Sequence, residues 1–73
     1  MVLEQSFSIY TIYLRGELET HALSEVKDRC CHIVLDNKTI LFAIIHDQPE
    51  LHGILKRIRD IGIEIISLEQ VKS

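Results

Sequence analysis

The segment DQPELHGILKRIRDIG, residues 47–62, carries the signals of one complete helix and constrains the fold more than any other part of the chain. Asp47 is a good N-cap, and Glu50 three residues later completes a capping-box pattern. Gly62 is typical of the residue that ends a helix in a left-handed conformation. Between these ends, apolar residues recur at helical spacing and predict one buried stripe of Leu51, Ile54, Leu55, Ile58 and Ile61.

The rest of the chain predicts four strands and a second helix. SFSIYTIYLRG, residues 6–16, is rich in β-branched and aromatic residues and predicts a strand. ELETHALSEVKDR, residues 17–29, has apolar residues at helical spacing and predicts a short helix. CCHIVLDNKTILFAIIHD, residues 30–47, has turn-forming residues between two apolar runs, which predicts a β-hairpin. IEIISLEQV, residues 63–71, predicts a last strand with apolar residues on both faces.

This order of elements predicts the fold class. Strand, helix, strand, strand, helix, strand is typical of an α+β protein, the ferredoxin-like βαββαβ sandwich. Its antiparallel sheet has the order 4-1-3-2, with two helices on one face. The length of 73 residues allows only one small domain, so we expect residues 1–73 to form it.

The hairpin side chains divide into two faces. A loop at Asn37 and Lys38 would place Ile33 opposite Phe42. One face is then wholly apolar, and we expect it to form the core side: Cys31, Ile33, Leu35, Ile40, Phe42 and Ile44. The other face is mixed, with Cys30, His32, Val34, Asp36, Thr39, Leu41, Ala43 and Ile45.

The mixed face is more apolar than a surface meant only for water. We therefore expect an apolar patch on the side of the sheet away from the helices, formed by Ile9, Tyr13, Leu41, Ala43, Ile45, Ile66 and Leu68. A monomer rarely leaves such a patch bare. The sequence predicts a non-enzymatic protein-interaction or regulatory module, homodimeric through this open face or bound there to another protein.

A His-Gly pair interrupts the predicted helix 47–62. A glycine inside a helix costs up to about 1 kcal/mol relative to alanine. Two interpretations stay open: Gly53 lets another backbone approach closely while His52 caps the core edge, or it opens a shelf for a ligand or partner. The candidate ligand- or partner-binding residues are His52, Gly53, Arg57 and Arg59.

The adjacent cysteines and the histidines raise the question of a metal site. Successive strand residues point to opposite faces, so Cys30, Cys31 and His32 cannot converge on one ion. Cys30, His32 and His46 remain as candidates, too few for a closed site within one chain. The sequence predicts no metal and no cofactor. The alternative function is small-molecule or metal sensing through His and Cys residues, for which a dimer would double the number of ligands.

Composition and motifs argue against several other functions. The net charge of −3 and the placement of Phe42 on the core face argue against nucleic-acid binding. The stretch TILFAIIH is too short to span a bilayer, so no membrane association is predicted. No secretory leader and no disulfide framework are recognisable, which predicts a cytoplasmic protein. No nucleophile elbow, phosphate-binding glycine loop or carboxylate pair is recognisable either, and no enzymatic activity is predicted.

Residues 37–71 resemble a group of small bacterial and archaeal proteins. These share the pattern DQ-x-x-LHG-x-L-x-x-IRD-[LI]-G-x-x-[LI]-[LI]-S-[LV]. The matching residues here are Asp47, Gln48, Leu51, His52, Gly53, Leu55, Ile58, Arg59, Asp60, Gly62 and Ser67. The resemblance implies a shared fold. It implies no catalytic residues, because no activity is established for that group.

Overall fold

A computed structural model describes residues 7–19, 21–24 and 29–71. In chain order the elements are strand β1 (Ser8–Arg15), strand β2 (Cys30–Leu35), strand β3 (Lys38–Ile45), helix α1 (Gln48–Ile61) and strand β4 (Glu64–Val71). The strands form one antiparallel sheet in the order β2-β3-β1-β4, which is β4-β1-β3-β2 when counted from the other edge. Among the described residues, no helix is long and apolar enough to cross a membrane.

The predicted ferredoxin-like sandwich with two helices is wrong, because the described residues contain one helix. Residues 21–24 form turns, in which the Ala22 N–H donates to the Glu19 carbonyl at 3.0 Å across three residues rather than four. The Leu18 N–H is held by the side chain of Thr39 at 3.0 Å, so this end of the segment is tied to β3. The predicted helix 17–29 also includes residues 20 and 25–28, which lie outside the described residues. The fold is α+β.

Helix α1 confirms the prediction for residues 47–62. Asp47 has extended backbone angles, and its side chain accepts a hydrogen bond from the Glu50 N–H at 3.0 Å. Gly62 has φ 94°, a left-handed conformation that favours glycine, and its N–H donates to the Arg59 carbonyl at 3.0 Å. The buried stripe is narrower than predicted, because Leu55 is half-buried and Ile61 is exposed.

The hairpin of β2 and β3 forms as predicted, but its loop lies one residue earlier. Asp36 and Asn37 form the loop with φ 49° and 64°. Two positive φ values define the type I′ turn, for which Asp and Asn are favoured and Lys is not. Ile33 therefore opposes Ile40 instead of Phe42. The partner moves by two residues, so the sets of side chains that share a face are unchanged.

The core lies on the mixed face of the hairpin, opposite to the prediction. Leu41 and Ala43 are fully buried there, next to Ile12 and Leu14 of β1. Three residues of α1 pack into the same cluster: Leu51, Ile54 and Ile58. The more apolar face of the hairpin, which Lys38 joins at the start of β3, consequently lies on the side of the sheet away from α1.

Candidate functional site

The side of the sheet away from α1 carries a largely apolar surface, here called the open face. Residues directly opposite each other in an antiparallel pair project from the same side, so the strand register defines this surface. Ile66 extends it onto β4, where the register shift opposite Tyr13 and Leu14 adds an extra residue. The apolar members of the open face are Ile9, Tyr13, Cys31, Ile33, Leu35, Ile40, Phe42, Ile44, Ile66 and Val71.

Large aliphatic side chains of the open face are exposed at both edges of the sheet. Ile33 on β2 is 49% exposed and Ile66 on β4 is 44% exposed. Tyr13, Ile40 and Phe42 lie between these edges and are half-buried by their neighbours. The apolar surface thus has members on all four strands, and a large exposed apolar patch is a common mark of an interaction site.

Charged residues border one end of the open face. Arg15 opposes Lys38 on β3 and Glu64 on β4, and its Nε lies 3.1 Å from Glu64 Oε1. Glu69 lies along the β4 side, opposite Thr11. An apolar centre with a charged rim is the usual composition of a protein–protein interface.

A depression of 480 Å³ lies at the charged end of the open face. Tyr13, Leu35, Ile40 and Ile66 supply its apolar lining, and Lys38 lies at its edge. Its apolar lining is suited to a large side chain from a partner, since such pockets bind the anchor residues of interfaces.

The structure places the predicted interface residues on both sides of the sheet. Ile9, Tyr13 and Ile66 lie on the open face, as predicted. Leu41, Ala43 and Ile45 lie in the core, so their assignment to the open face is wrong. Leu68 opposes Ile12 and therefore lies on the helix side. The residues that sequence reasoning missed are the apolar ones it had assigned to the core: Cys31, Ile33, Leu35, Ile40, Phe42 and Ile44.

The placement of the aromatic residues corrects one part of the argument about nucleic acid. Phe42 lies on the open face with Tyr13, although it was predicted to lie in the core. The charges at the rim have both signs, and the net charge is −3, which disfavours contact with phosphate. The absence of nucleic-acid binding stays a prediction.

The outer surface of α1 carries the second predicted group of residues. His52, Gly53 and Arg59 are exposed, and Arg57 is half-buried. Apart from the adjacent residues and the backbone of its own helix, a Cβ atom added at Gly53 would meet no heavy atom within 4 Å. The interpretation that a neighbouring backbone requires this glycine is therefore wrong for the described chain. A depression of 410 Å³ beside it has a lining of mixed charge: His52, Leu55, Lys56, Arg59 and Asp60.

Substituting Gly53 by alanine is expected to stabilise the domain. Alanine has the higher helix propensity and restricts the unfolded chain, and the space around Gly53 is open. We expect the free energy of unfolding to rise by about 0.4–1 kcal/mol, measured by urea denaturation. A loss of stability would contradict this. Intact stability with loss of self-association would identify the helix surface as the functional site.

The predicted metal candidates lie apart. Cys30 and His32 share the helix side of β2, whereas the side chain of His46 contacts Glu50. Burial raises the pKa of the Cys30 thiol, while Arg29 opposes this effect and Cys31 adds to it. Within the described ranges, no three His, Cys, Asp or Glu side chains are grouped as metal ligands would be. The absence of a metal or cofactor stays a prediction.

A polar network around Glu50 ties α1 to the segment before β2. Glu50 Oε1 accepts a hydrogen bond from the His46 N–H at 2.8 Å and lies 3.2 Å from His46 Nδ1. Glu50 Oε2 accepts from Arg29 Nη1 at 2.7 Å. The capping-box carboxylate thus reaches the residue before the N-cap, not Asp47 itself. The His46 N–H is the main cause that lowers the pKa of Glu50, against an opposing desolvation effect, with the His46 and Arg29 side chains adding to it.

The lowered pKa of Glu50 predicts a loss of stability in acid. A carboxyl with a lower pKa in the folded state stabilises the fold above its unfolded pKa, and protonation removes this as the pH falls through the folded pKa. We expect Glu50→Gln to be less stable than wild type at neutral pH and to lose less stability below about pH 4.5. Thermal unfolding across this range is the measurement. Glu64→Gln, in an exposed ion pair, is the control, and equal pH dependence in wild type and Glu50→Gln would contradict the assignment.

Comparison with known proteins places the chain in a family. Residues 9–69 match the family described as Domain of unknown function (DUF8691). The chain belongs to this family. The DUF8691 match includes most of β1 and β4 and all of β2, β3 and α1, so it spans the sheet and its helix. No curated protein and no solved structure matches the chain. The resemblance to small prokaryotic proteins stays a prediction.

Proposed function

We propose that this DUF8691 chain is a non-enzymatic interaction module that forms a homodimer through the open face of its sheet. The observation that carries the proposal is the position of the more apolar face of the hairpin, which lies at the surface instead of under α1. Burial of apolar surface is the dominant favourable contribution to most protein–protein association. The free monomer would leave this surface in water.

The dimensions of the open face suit a second copy of the chain. Four strands about 4.8 Å apart, up to eight residues long at about 3.4 Å per residue, give a face on the order of 500 Å². Two such faces bury about 1,000 Å², near the lower limit for a specific interface. The rim carries both charge signs, with Arg15 and Lys38 against Glu64 and Glu69, so a rotated copy can meet opposite charges.

Sedimentation with a pair of matched variants tests this proposal. Ile66→Glu places a charge on the open face, whereas Leu68→Glu places the same charge on the same strand but on the helix side. Leu68 is 40% exposed, similar to Ile66, so we expect the two substitutions to destabilise the folded monomer to a comparable extent. We expect Ile66→Glu to weaken association through the open face at least tenfold, so that the sedimenting species has half the wild-type mass, and Leu68→Glu to leave this association unchanged. A wild-type chain that stays monomeric at micromolar concentration contradicts the proposal.

The same experiment separates the homodimer from the other predicted partner. A monomeric wild type that loses a protein partner through Ile66→Glu would assign the open face to that partner instead. Leu41→Glu is unsuitable as a probe, because Leu41 is fully buried and the variant would unfold.

Other predictions from the sequence remain predictions. Sensing of a metal or small molecule through His and Cys is the alternative function, and the described Cys and His residues share no common site that supports it. The absence of enzymatic activity and the cytoplasmic location also remain predictions.

A further inference from the structure

The two edges of the sheet differ in how they are protected against further pairing. β4 carries charged residues and the register shift opposite Tyr13 and Leu14, and both features discourage the addition of a strand. β2 (Cys30–Leu35) contains no Asp, Glu, Lys, Arg or Pro, and it pairs with β3 without a register shift. Its residues from Cys31 onward are exposed on both faces of the sheet. Among the residues that the structure describes, β2 is therefore an edge without these protective features.

One hydrogen bond identifies which backbone groups lie on the outer side of β2. The Ile44 N–H donates to the Arg29 carbonyl at 2.8 Å, so the polar groups of residue 29 point towards β3. The backbone N–H and C=O groups of successive strand residues point alternately to the two sides of the strand. Those of every second residue of β2 therefore point outward, away from β3. The outward residues are Cys30, His32 and Val34. In the sheet that the described residues form, no strand pairs with this side.

We infer that β2 pairs antiparallel with β2 of a second copy, centred on His32, to form a sheet of eight strands. This register places His32 opposite His32 of the second copy, and Cys30 opposite Val34. Every outward residue then meets another outward residue, and three such pairs exchange about six hydrogen bonds. A register centred on Ile33 pairs fewer outward residues.

Charge and exposure favour a second copy as the occupant. The six residues of β2 bring no like charges of Asp, Glu, Lys or Arg together when the strand pairs with itself. Val34 lies on the helix side and is exposed, so the neighbouring copy would cover it. The two-fold axis is perpendicular to the sheet and leaves the open face accessible. The edge pairing is thus independent of the proposed open-face dimer, and both together give a tetramer.

Substitution at His32 tests the edge pairing. His32→Pro removes an outward N–H that β3 does not use, a change that edge strands tolerate, whereas His32→Ala keeps the N–H. Both are made in the Ile66→Glu background, where the open face is blocked. We expect this background and its His32→Ala variant to sediment as dimers, and the His32→Pro variant as a monomer. A dimer with His32→Pro, or a monomer with His32→Ala, overturns the inference.

Amide hydrogen exchange on the wild-type chain gives a test that needs no substitution. The amides of Ile33 and Leu35 point towards β3, and we expect them to be protected at all protein concentrations. We expect the amides of His32 and Val34 to gain protection as the concentration rises. Fast exchange of the His32 and Val34 amides at every concentration overturns the pairing with a second copy. This is also the result expected if the β2 edge binds only a foreign peptide. A wild-type dimer disrupted by His32→Pro but not by Ile66→Glu would support the edge pairing and reject the open-face dimer.

Discussion

Replacing Ile58 by alanine is expected to destabilise the domain by about 2–5 kcal/mol. Ile58 is 0% exposed and lies in the core cluster with Ile12, Leu41 and Ile54. The alanine variant loses buried apolar contacts and leaves a cavity that the sheet and helix fill only in part. Domains of any size have only about 5–15 kcal/mol of stability, so this is a large fraction for a chain of 73 residues.

Chemical denaturation of Ile58→Ala and Ile61→Ala measures this effect against a matched control. Both residues lie on α1 and undergo the same substitution, but Ile61 is 42% exposed. We expect Ile61→Ala to cost less than about 1 kcal/mol. Equal losses of unfolding free energy for the two variants would contradict the placement of the helix on the sheet.

Replacing Thr39 by valine is expected to have the second largest effect. Thr39 is fully buried, and its hydroxyl accepts a hydrogen bond from the Leu18 N–H at 3.0 Å and donates to the Gly16 carbonyl at 2.7 Å. Valine has a similar shape but leaves both backbone groups without this partner. Each buried polar group left unpaired costs about 1–3 kcal/mol.

The Thr39→Ser variant is the control, because it retains the hydroxyl and removes only a methyl group. We expect Thr39→Val to lose about 2–4 kcal/mol of unfolding free energy in urea, and Thr39→Ser about 1 kcal/mol. A Thr39→Ser variant less stable than Thr39→Val would mean that packing of the methyl, and not the hydroxyl, determines the role of this residue.

The features predicted correctly from the sequence are those set by local interactions. The ends of α1 follow from Asp47 and Gly62, whose contacts are with residues three positions away. The last strand was predicted with apolar residues on both faces around Ile65 and Ile66, and the register shift occurs there. Local hydrogen bonds and backbone conformations are encoded in adjacent residues, so sequence patterns are sufficient to predict them.

The core side of the hairpin could not be predicted from the hairpin alone. The alternation of β3 separates Leu41 and Ala43 from Ile40 and Phe42, but it does not specify which set lies beneath the helix. The β1–β3 register decides this, because it brings Leu41 next to Ile12. The prediction assigns the more apolar face to the core because apolar side chains are the ones most often buried. Its position at the surface is the main reason to expect an interface.

The turns at residues 21–24 and the polar anchors depend on contacts between distant parts of the chain. The hydroxyl of Thr39 binds Leu18 across 21 positions, and Glu50 binds Arg29 across 21 positions. Neither pair has a sequence signature, and apolar spacing in residues 17–29 gave the wrong secondary structure for 21–24. Tertiary contacts commonly override weak helix propensity in short segments.

The reactivity of the Cys31 thiol tests the open-face dimer most directly. Cys31 is exposed on the open face, and a Cys30→Ser variant leaves it as the single thiol of the chain. We expect a bulky maleimide to react slowly at high protein concentration and faster as dilution dissociates the dimer. With Ile66→Glu added, the reaction should be fast at all concentrations. Fast reaction at every concentration, in a chain that sediments as an oligomer, would place the interface elsewhere and contradict the open-face dimer.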